Sequence, residues 1–225
     1  MPRSHETLKM IIEDVFLEAE TEGYCPLRIV TNRGEVQGRH YRVEDAKCGV
    51  IFVGGAGGGW DSPACGLYPR LCKELAGKGV ASLRVRFRDP HQLGEATLDV
   101  LAGLEFLQQQ GIADAALVGH SFGGAVVIQA AAAAKSVRAI VTLATQSYGT
   151  SPVADLSPRC SLLLIHGTVD KVLRPSCSEY VYEIAGEPKW IMLHEGANHG
   201  LDEVAADVYR EVRDWLLKQF AQRQD

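Results

Sequence analysis

Three short stretches hold residue types that together could make an activated nucleophile. "LVGHSFGGA" (117–125) sets Ser121 between Gly119 and Gly123, "GTVDKV" (167–172) holds Asp170, and "EGANHG" (195–200) holds His199. A serine hydroxyl attacks a carbonyl poorly until a base takes its proton. An imidazole within reach can take it, and a carboxylate behind the ring fixes its tautomer and stabilises the imidazolium. The glycines fit the same chemistry. A serine at the tip of a strand-to-helix turn adopts a strained backbone that exposes Oγ. Side chains two positions to either side would meet the neighbouring strand and helix, so Gly119 and Gly123 suit those places. A helix opening just after the serine would aim its N-terminal N–H groups and positive dipole end at a developing oxyanion.

Such residues need a frame, and the pattern along the chain supplies one. Residues 25–43 read as a hairpin around Asn32-Arg33-Gly34. "CGVIFVGG" (48–55) is a short, continuously apolar run, as expected of a strand covered on both faces. Helical spacing follows over 62–79, then a strand over 80–87, a helix over 94–111 and a strand over 115–120. The Ala-rich run 122–135 reads as a helix, 137–145 and 161–167 as strands, 176–186 as a short helix and 189–195 as a strand. A last helix is expected over 201–222. Alternation of this kind predicts a single α/β domain: a mostly parallel sheet, an antiparallel N-terminal hairpin and helices on both faces. Ligands in such sheets sit beyond the carboxyl ends of the strands. Ser121, Asp170 and His199 each follow a strand end, with Asp170 after the next strand but one from Ser121 and His199 after its successor. The main domain is expected over 25–225. Residues 1–24 are expected as a helical extension, with an acidic amphipathic helix over 8–19 on the sheet edge.

The sequence resembles the α/β-hydrolase fold family, and within it the small, lidless members related to dienelactone hydrolases and carboxylesterases. The likeness runs over roughly residues 27–220 and rests on "GHSFGG", on "HGTVDKV", which is similar to the family's HGxxD segment, and on "GANHG", which is similar to its histidine loop. It implies Ser121 as nucleophile, His199 as general base and Asp170 as the acid that orients it. It also implies backbone oxyanion donors at Ala56 and Phe122, and no metal or organic cofactor. Two departures stand out. Dienelactone hydrolases proper carry cysteine at the elbow, which favours ordinary ester cleavage here over opening of a dienelactone. Many members have His-Gly after the first long apolar strand, whereas this chain has Gly54-Gly55. Capped relatives insert a helical lid after the strand at 137–145, and the short stretch "SYGTSPVADLSPRC" (147–160) leaves no room for one.

Each candidate has rivals. His120 is expected to point away from the active face as a packed, hydrogen-bonded residue. His166 is expected to be structural, His194 packed or on the surface, and His5, His40 and His91 solvent residues. Asp89, Asp155 and Glu195 compete with Asp170: Asp89 is expected to pair with Arg86 or Arg88, and Glu195 stands too close to His199 along the chain. Arg86 and Arg88 share one strand face. They suit either an acidic substrate group or a salt-bridged edge. Trp60, Tyr148 and Leu173 follow strand ends and are tentative pocket residues.

Composition narrows the class. The chain has 225 residues, a hydrophobic fraction of 46% and a net charge of -5. That is ordinary globular composition, and it speaks against an electrostatic nucleic-acid binder. The N-terminus has no apolar signal core and no apolar run reaches about 18 residues, so neither secretion nor a membrane span is expected. The six cysteines are scattered, form no CxxC and are expected to be reduced, buried thiols in a cytoplasmic protein. The expected function is cleavage of a small-molecule carboxylic ester or thioester through an acyl-Ser121 intermediate. A homodimer is left open. So are an acyl transferase or perhydrolase using the same triad, and a catalytically silent hydrolase-like binding protein. Ser121 excludes the carboxylate-nucleophile chemistry of epoxide hydrolases and dehalogenases.

Overall fold

The computed structural model describes residues 9–221. Nine strands form one sheet in the order β1-β2-β3-β5-β4-β6-β7-β8-β9. The strands are β1 (Ile12–Leu17), β2 (Cys25–Thr31), β3 (Gly34–Tyr41), β4 (Cys48–Val53), β5 (Ala81–Arg86), β6 (Asp114–His120), β7 (Val137–Leu143), β8 (Ser161–Gly167) and β9 (Lys189–His194). The helices are α1 (Pro63–Ala76), α2 (Leu93–Gln109), α3 (Phe122–Ala133), α4 (Ser176–Ile184) and α5 (Ala205–Ala221). β1, β2, β3 and β5 pair antiparallel, whereas β5, β4, β6, β7, β8 and β9 pair parallel.

The apolar runs sit in the middle of this sheet because both of its faces are covered. In β4, Ile51 and Val53 join a core that contains residues of α2, α3 and α4, while Val50 and Phe52 join one built with α1 and α5. Burying one such side chain is worth roughly 1.5–3 kcal/mol, so this continuous pattern commits the central strands to the interior. Between β7 and β8 lies only a 3-10 turn, Ser151–Asp155, with no cap over the strand ends.

Two expectations are corrected. The stretch 8–19 is not a helix: its described part holds β1, antiparallel to β2 with a register shift between Ile12 and Asp14. The β2 backbone needs partners on its outer edge, and β-branched Ile12 and Val15 suit a strand that supplies them. Phe16 adds a ring beneath the Arg28 guanidinium, 4.5 Å from it. At the other end, the last helix is delayed. Leu201 is left-handed, with φ 59°, a 3-10 turn follows over Asp202–Val204, and α5 begins at Ala205. Of the cysteines, Cys25, Cys72 and Cys160 are buried, whereas Cys65 is exposed.

Candidate active site

β6 delivers Ser121 to the sheet's carboxyl rim and α3 begins at the next residue. Ser121 has φ 55° and ψ -119°, a conformation that residues with a β-carbon rarely adopt. Its N–H donates to the Leu143 carbonyl at 2.8 Å and its own carbonyl accepts from Gly124 N–H at 3.0 Å, which hold the turn. The glycines are sterically required. A β-carbon on Gly119 would stand 2.2 Å from the Gly123 carbonyl oxygen, and one on Gly123 would stand 2.3 Å from that of Gly54. Gly124, outside the two flanking positions, is as tight: a β-carbon there would stand 2.2 Å from Thr145 Oγ1.

Asp170 lies in the turn after β8 with its side chain out of solvent. Its Oδ1 accepts the N–H groups of Val172 at 2.7 Å and Leu173 at 2.9 Å. Its Oδ2 accepts His199 Nδ1 at 2.7 Å and His166 Nε2 at 3.1 Å. Burial works to raise the carboxyl pKa, but the bonds from His199, Leu173 and Val172 outweigh it and hold the group below the usual carboxylate range. Asp170 is therefore a charged acceptor, and with Nδ1–H given to it, His199 keeps a lone pair on Nε2.

The His199 loop follows β9 and is fastened on three sides. Thr168 N–H donates to the His194 carbonyl at 2.9 Å and Val169 N–H to that of Ala197 at 3.1 Å, tying it to the Asp170 turn. The Ala64 N–H donates to the Gly200 carbonyl at 2.7 Å and the Cys65 N–H to Asp202 Oδ1 at 2.7 Å, tying it to the start of α1. His120 Nε2 donates to the His199 carbonyl at 3.0 Å, tying it to the elbow. The His120 ring stands 4.8 Å from that of His199, with Nδ1 3.7 Å from Asp61 Oδ2. That neighbour holds the Asp61 carboxyl below its ordinary range. His120 is packed, as expected, yet it points toward the histidine loop.

The structure thus joins Asp170 to His199 and sets Ser121 next in chain to His120, which touches His199. Among the described residues no hydrogen bond joins Ser121 Oγ to the imidazole. Ala56 and Phe122 line one cleft of about 480 Å3, together with His91, Leu93, Gln146 and Tyr148. The Phe122 ring is turned into the core against Phe87, at 5.8 Å and 88°, so it is the start of its helix that meets the cleft. Gly55 lies against the elbow; a β-carbon there would come within 3.2 Å of Ser121 Cβ.

The tentative pocket residues divide. Tyr148 lines the cleft and is 78% exposed. Leu173 serves the Asp170 turn through its backbone, its carbonyl also accepting His166 Nε2 at 3.0 Å. Trp60 is not in the cleft; it lies in a separate hollow against Arg39. Arg88 pairs with Asp99 and Glu95, the salt-bridged arrangement, and Arg86 donates to Gln37 at 3.1 Å. Asp89 pairs with neither arginine; its carboxylate accepts the His91 N–H at 2.9 Å. His40 is buried, not a solvent residue. Reasoning from strand ends missed the part of His166 in the Asp170 site, although an i, i+4 His–Asp spacing was there to be read. It also missed Asp61, whose signal, a lone acid after a glycine run, is faint. Among the described residues no group of three His, Cys, Asp or Glu side chains could hold a metal ion, and no helix is long and apolar enough to cross a membrane.

The sequence profile of the alpha/beta hydrolase family matches residues 50–223. No curated protein matches the chain. Solved structures share its fold at low identity. Est1E from Butyrivibrio proteoclasticus is 18% identical with a TM-score of 0.73, over 87% of this chain and 99% of that one. A dienelactone hydrolase from Anabaena variabilis is 18% identical with a TM-score of 0.70, over 86% and 98%. XC6422 from Xanthomonas campestris, described as an α/β serine hydrolase without a lid, is 19% identical with a TM-score of 0.68, over 87% and 96%.

Proposed function

The chain belongs to the alpha/beta hydrolase family, and from that premise we propose that it is a serine hydrolase cleaving small carboxylic esters or thioesters through an acyl-Ser121 intermediate. The observation that carries the reading is the charged, fully bonded Asp170 on His199 Nδ1, at the same rim as a serine held at φ 55°. Ser121 Oγ attacks the substrate carbonyl while His199 Nε2 takes its proton, and Asp170 stabilises the imidazolium. The nucleophile–base bond is often long in the empty enzyme and tightens when substrate arrives. The backbone N–H groups of Ala56 and Phe122 hold the oxyanion. One such donor is worth about 3–4 kcal/mol of barrier. His199 then protonates the leaving group, and water activated by the same base releases the acid. The uncapped cleft of about 480 Å3 suits a small or exposed ester.

The test is turnover of p-nitrophenyl acetate, butyrate and octanoate, with fluorophosphonate labelling of wild type and Ser121→Ala. Serine-dependent turnover that falls with acyl length, and labelling lost in the variant, are the expected results. Labelling that persists in Ser121→Ala removes the nucleophile assignment. Folded wild type that neither turns over nor labels is instead a binding protein built on the fold.

A further inference from the structure

The face of the β2–β3–β5 ladder opposite α2 carries arginines that are matched differently from their neighbours. Arg28 pairs with Glu35, Arg33 with Glu95, and Arg88 with Glu95 and Asp99. Arg39, Arg84 and Arg86 have no carboxylate within ion-pair distance among the described residues, in a chain with 28 acids to 23 Lys and Arg. Arg39 and Arg84 stand directly opposite each other in the β3–β5 register, and Gln37 and Arg86 form the next pair on that face. Like charges opposed on a ladder destabilise it. Arg84 is also 4% exposed, with its Nη2 donating to the Trp60 carbonyl at 2.7 Å. A guanidinium so buried with no anion beside it carries a desolvation cost that a bound anion would offset.

Arg39 is the more telling of the two. Its guanidinium carbon lies 4.3 Å from the centre of the Trp60 ring and 4.8 Å from that of Tyr24. No protein acceptor among the described residues takes a hydrogen bond from it. Aromatic contact attracts the cation through the ring faces and spends none of its N–H donors on a hydrogen bond. A guanidinium pre-set in this way offers two parallel donors to a carboxylate or a phosphate, with its side-chain entropy already lost. It borders a hollow of about 240 Å3 shared with Gln37 and Arg28, and Gln37 also lines a neighbouring hollow that contains Arg86. Two acids stand nearby: Glu18, an exposed residue that lines the hollow, and Glu35, which Arg28 already neutralises. No residue of the Arg39 hollow lines the cleft of Ala56 and Phe122.

We propose that this hollow is a binding site for a small oxyanion, the carboxylate or phosphate group of a metabolite, held in the plane of Arg39 between Trp60 and Tyr24 with Arg84 and Arg86 supplying the surrounding positive field. A polyanion does not suit it: the hollow is small and the chain is acidic overall.

The experiment is calorimetric titration of the full chain with inorganic phosphate and, separately, with benzoate, at constant ionic strength against chloride. Saturable binding near one per chain is expected for at least one probe. Binding of phosphate alone identifies a phosphate-bearing ligand, and of benzoate alone a carboxylic acid. Affinity falls at least tenfold in Arg39→Gln, falls in Arg39→Lys because a charge without the fork remains, and is unchanged in Arg138→Gln, whose arginine pairs with Asp114 elsewhere. If Arg39→Gln does not fold, Arg39→Lys and Trp60→Phe carry the comparison. Binding no stronger than that of chloride, or equal in wild type and the folded Arg39 variants, overturns the proposal.

Discussion

His166 and His199 meet at one oxygen atom: Asp170 Oδ2 lies 3.1 Å from Nε2 of the first and 2.7 Å from Nδ1 of the second. His166 Nε2 faces two acceptors, Asp170 and the Leu173 carbonyl, so it carries the proton, and Nδ1 then accepts from the Ser178 hydroxyl at 2.7 Å. Burial depresses the pKa of this imidazole against the opposing pull of Leu173 and Asp170, which keeps it neutral. His166 is thus a positioning residue: it holds Asp170 in the orientation that meets His199.

Replacing it tests that part. His166→Phe removes the bond to Oδ2, and kcat for p-nitrophenyl acetate should fall about 10- to 100-fold, the scale of a small misplacement of reacting groups. KM should change little, and His166→Gln should recover part of the loss because an amide N–H can still donate. A variant with unaltered kcat would make the residue simply a core packer.

Asp170→Asn addresses the charge itself. The amide keeps the shape but no longer selects the tautomer that leaves Nε2 unprotonated, and kcat should drop about 10^4-fold with the protein still folded. Circular dichroism alongside the rate measurement separates lost chemistry from lost structure. A tenfold loss or less would mean that His199 does not depend on Asp170.

Gly123→Ala addresses the elbow. Its new β-carbon would meet a backbone carbonyl, not a flexible side chain. Overpacking of this kind costs about 3 kcal/mol or more. For a chain of this size the melting temperature should fall by roughly 6–12 °C, with turnover lost as well. Gly57→Ala, where a β-carbon meets nothing within 4 Å, is the control and should melt near wild type.

His40 gives the protein a dependence on pH away from the site. It is 1% exposed, sits edge-on to Phe106 at 5.1 Å, and neither ring nitrogen has a hydrogen-bond partner among the described residues. Burial, aided by the charge of Arg42, pushes it down to about 4 from an ordinary 6.5. The unfolded chain therefore binds a proton as pH falls through 6.5 while the folded one stays neutral until about 4, so stability is full above that window and declines within it. The decline by pH 4.5 is about 2–3 kcal/mol. Urea unfolding of wild type and His40→Leu at pH 7.5 and 4.5 should show the variant losing less by that amount. Equal losses would mean that His40 titrates normally.

Much of this was open to reading in the chain, for identifiable reasons. Ser121, Asp170 and His199 stand out as candidates because parallel strands put chemistry at one rim, and strand ends can be located from apolar runs such as 48–53 and 161–165. In β1, Ile12, Val15 and Phe16 satisfy a helical spacing as well as a strand; the unpaired edge of β2 decides between them, and that edge exists only in three dimensions. Trp60 follows a strand end, which by sequence alone suits the cleft. What places it elsewhere is Arg39 across the sheet, 21 positions earlier in the chain. The His166–Asp170 contact is local and was legible; the bond from His120 to the His199 carbonyl spans 79 positions and was not.

The backbone of Ser121 has a further meaning for the protein's history. A residue with a β-carbon held at φ 55° raises the free energy of the folded chain by about 1–3 kcal/mol, and glycine at the same point would relieve most of it. Stability is therefore being traded away at one atom. Under the proposed function, that cost is what an exposed nucleophile requires. A lineage that kept this fold merely as a scaffold would be free to drift toward glycine there and melt later.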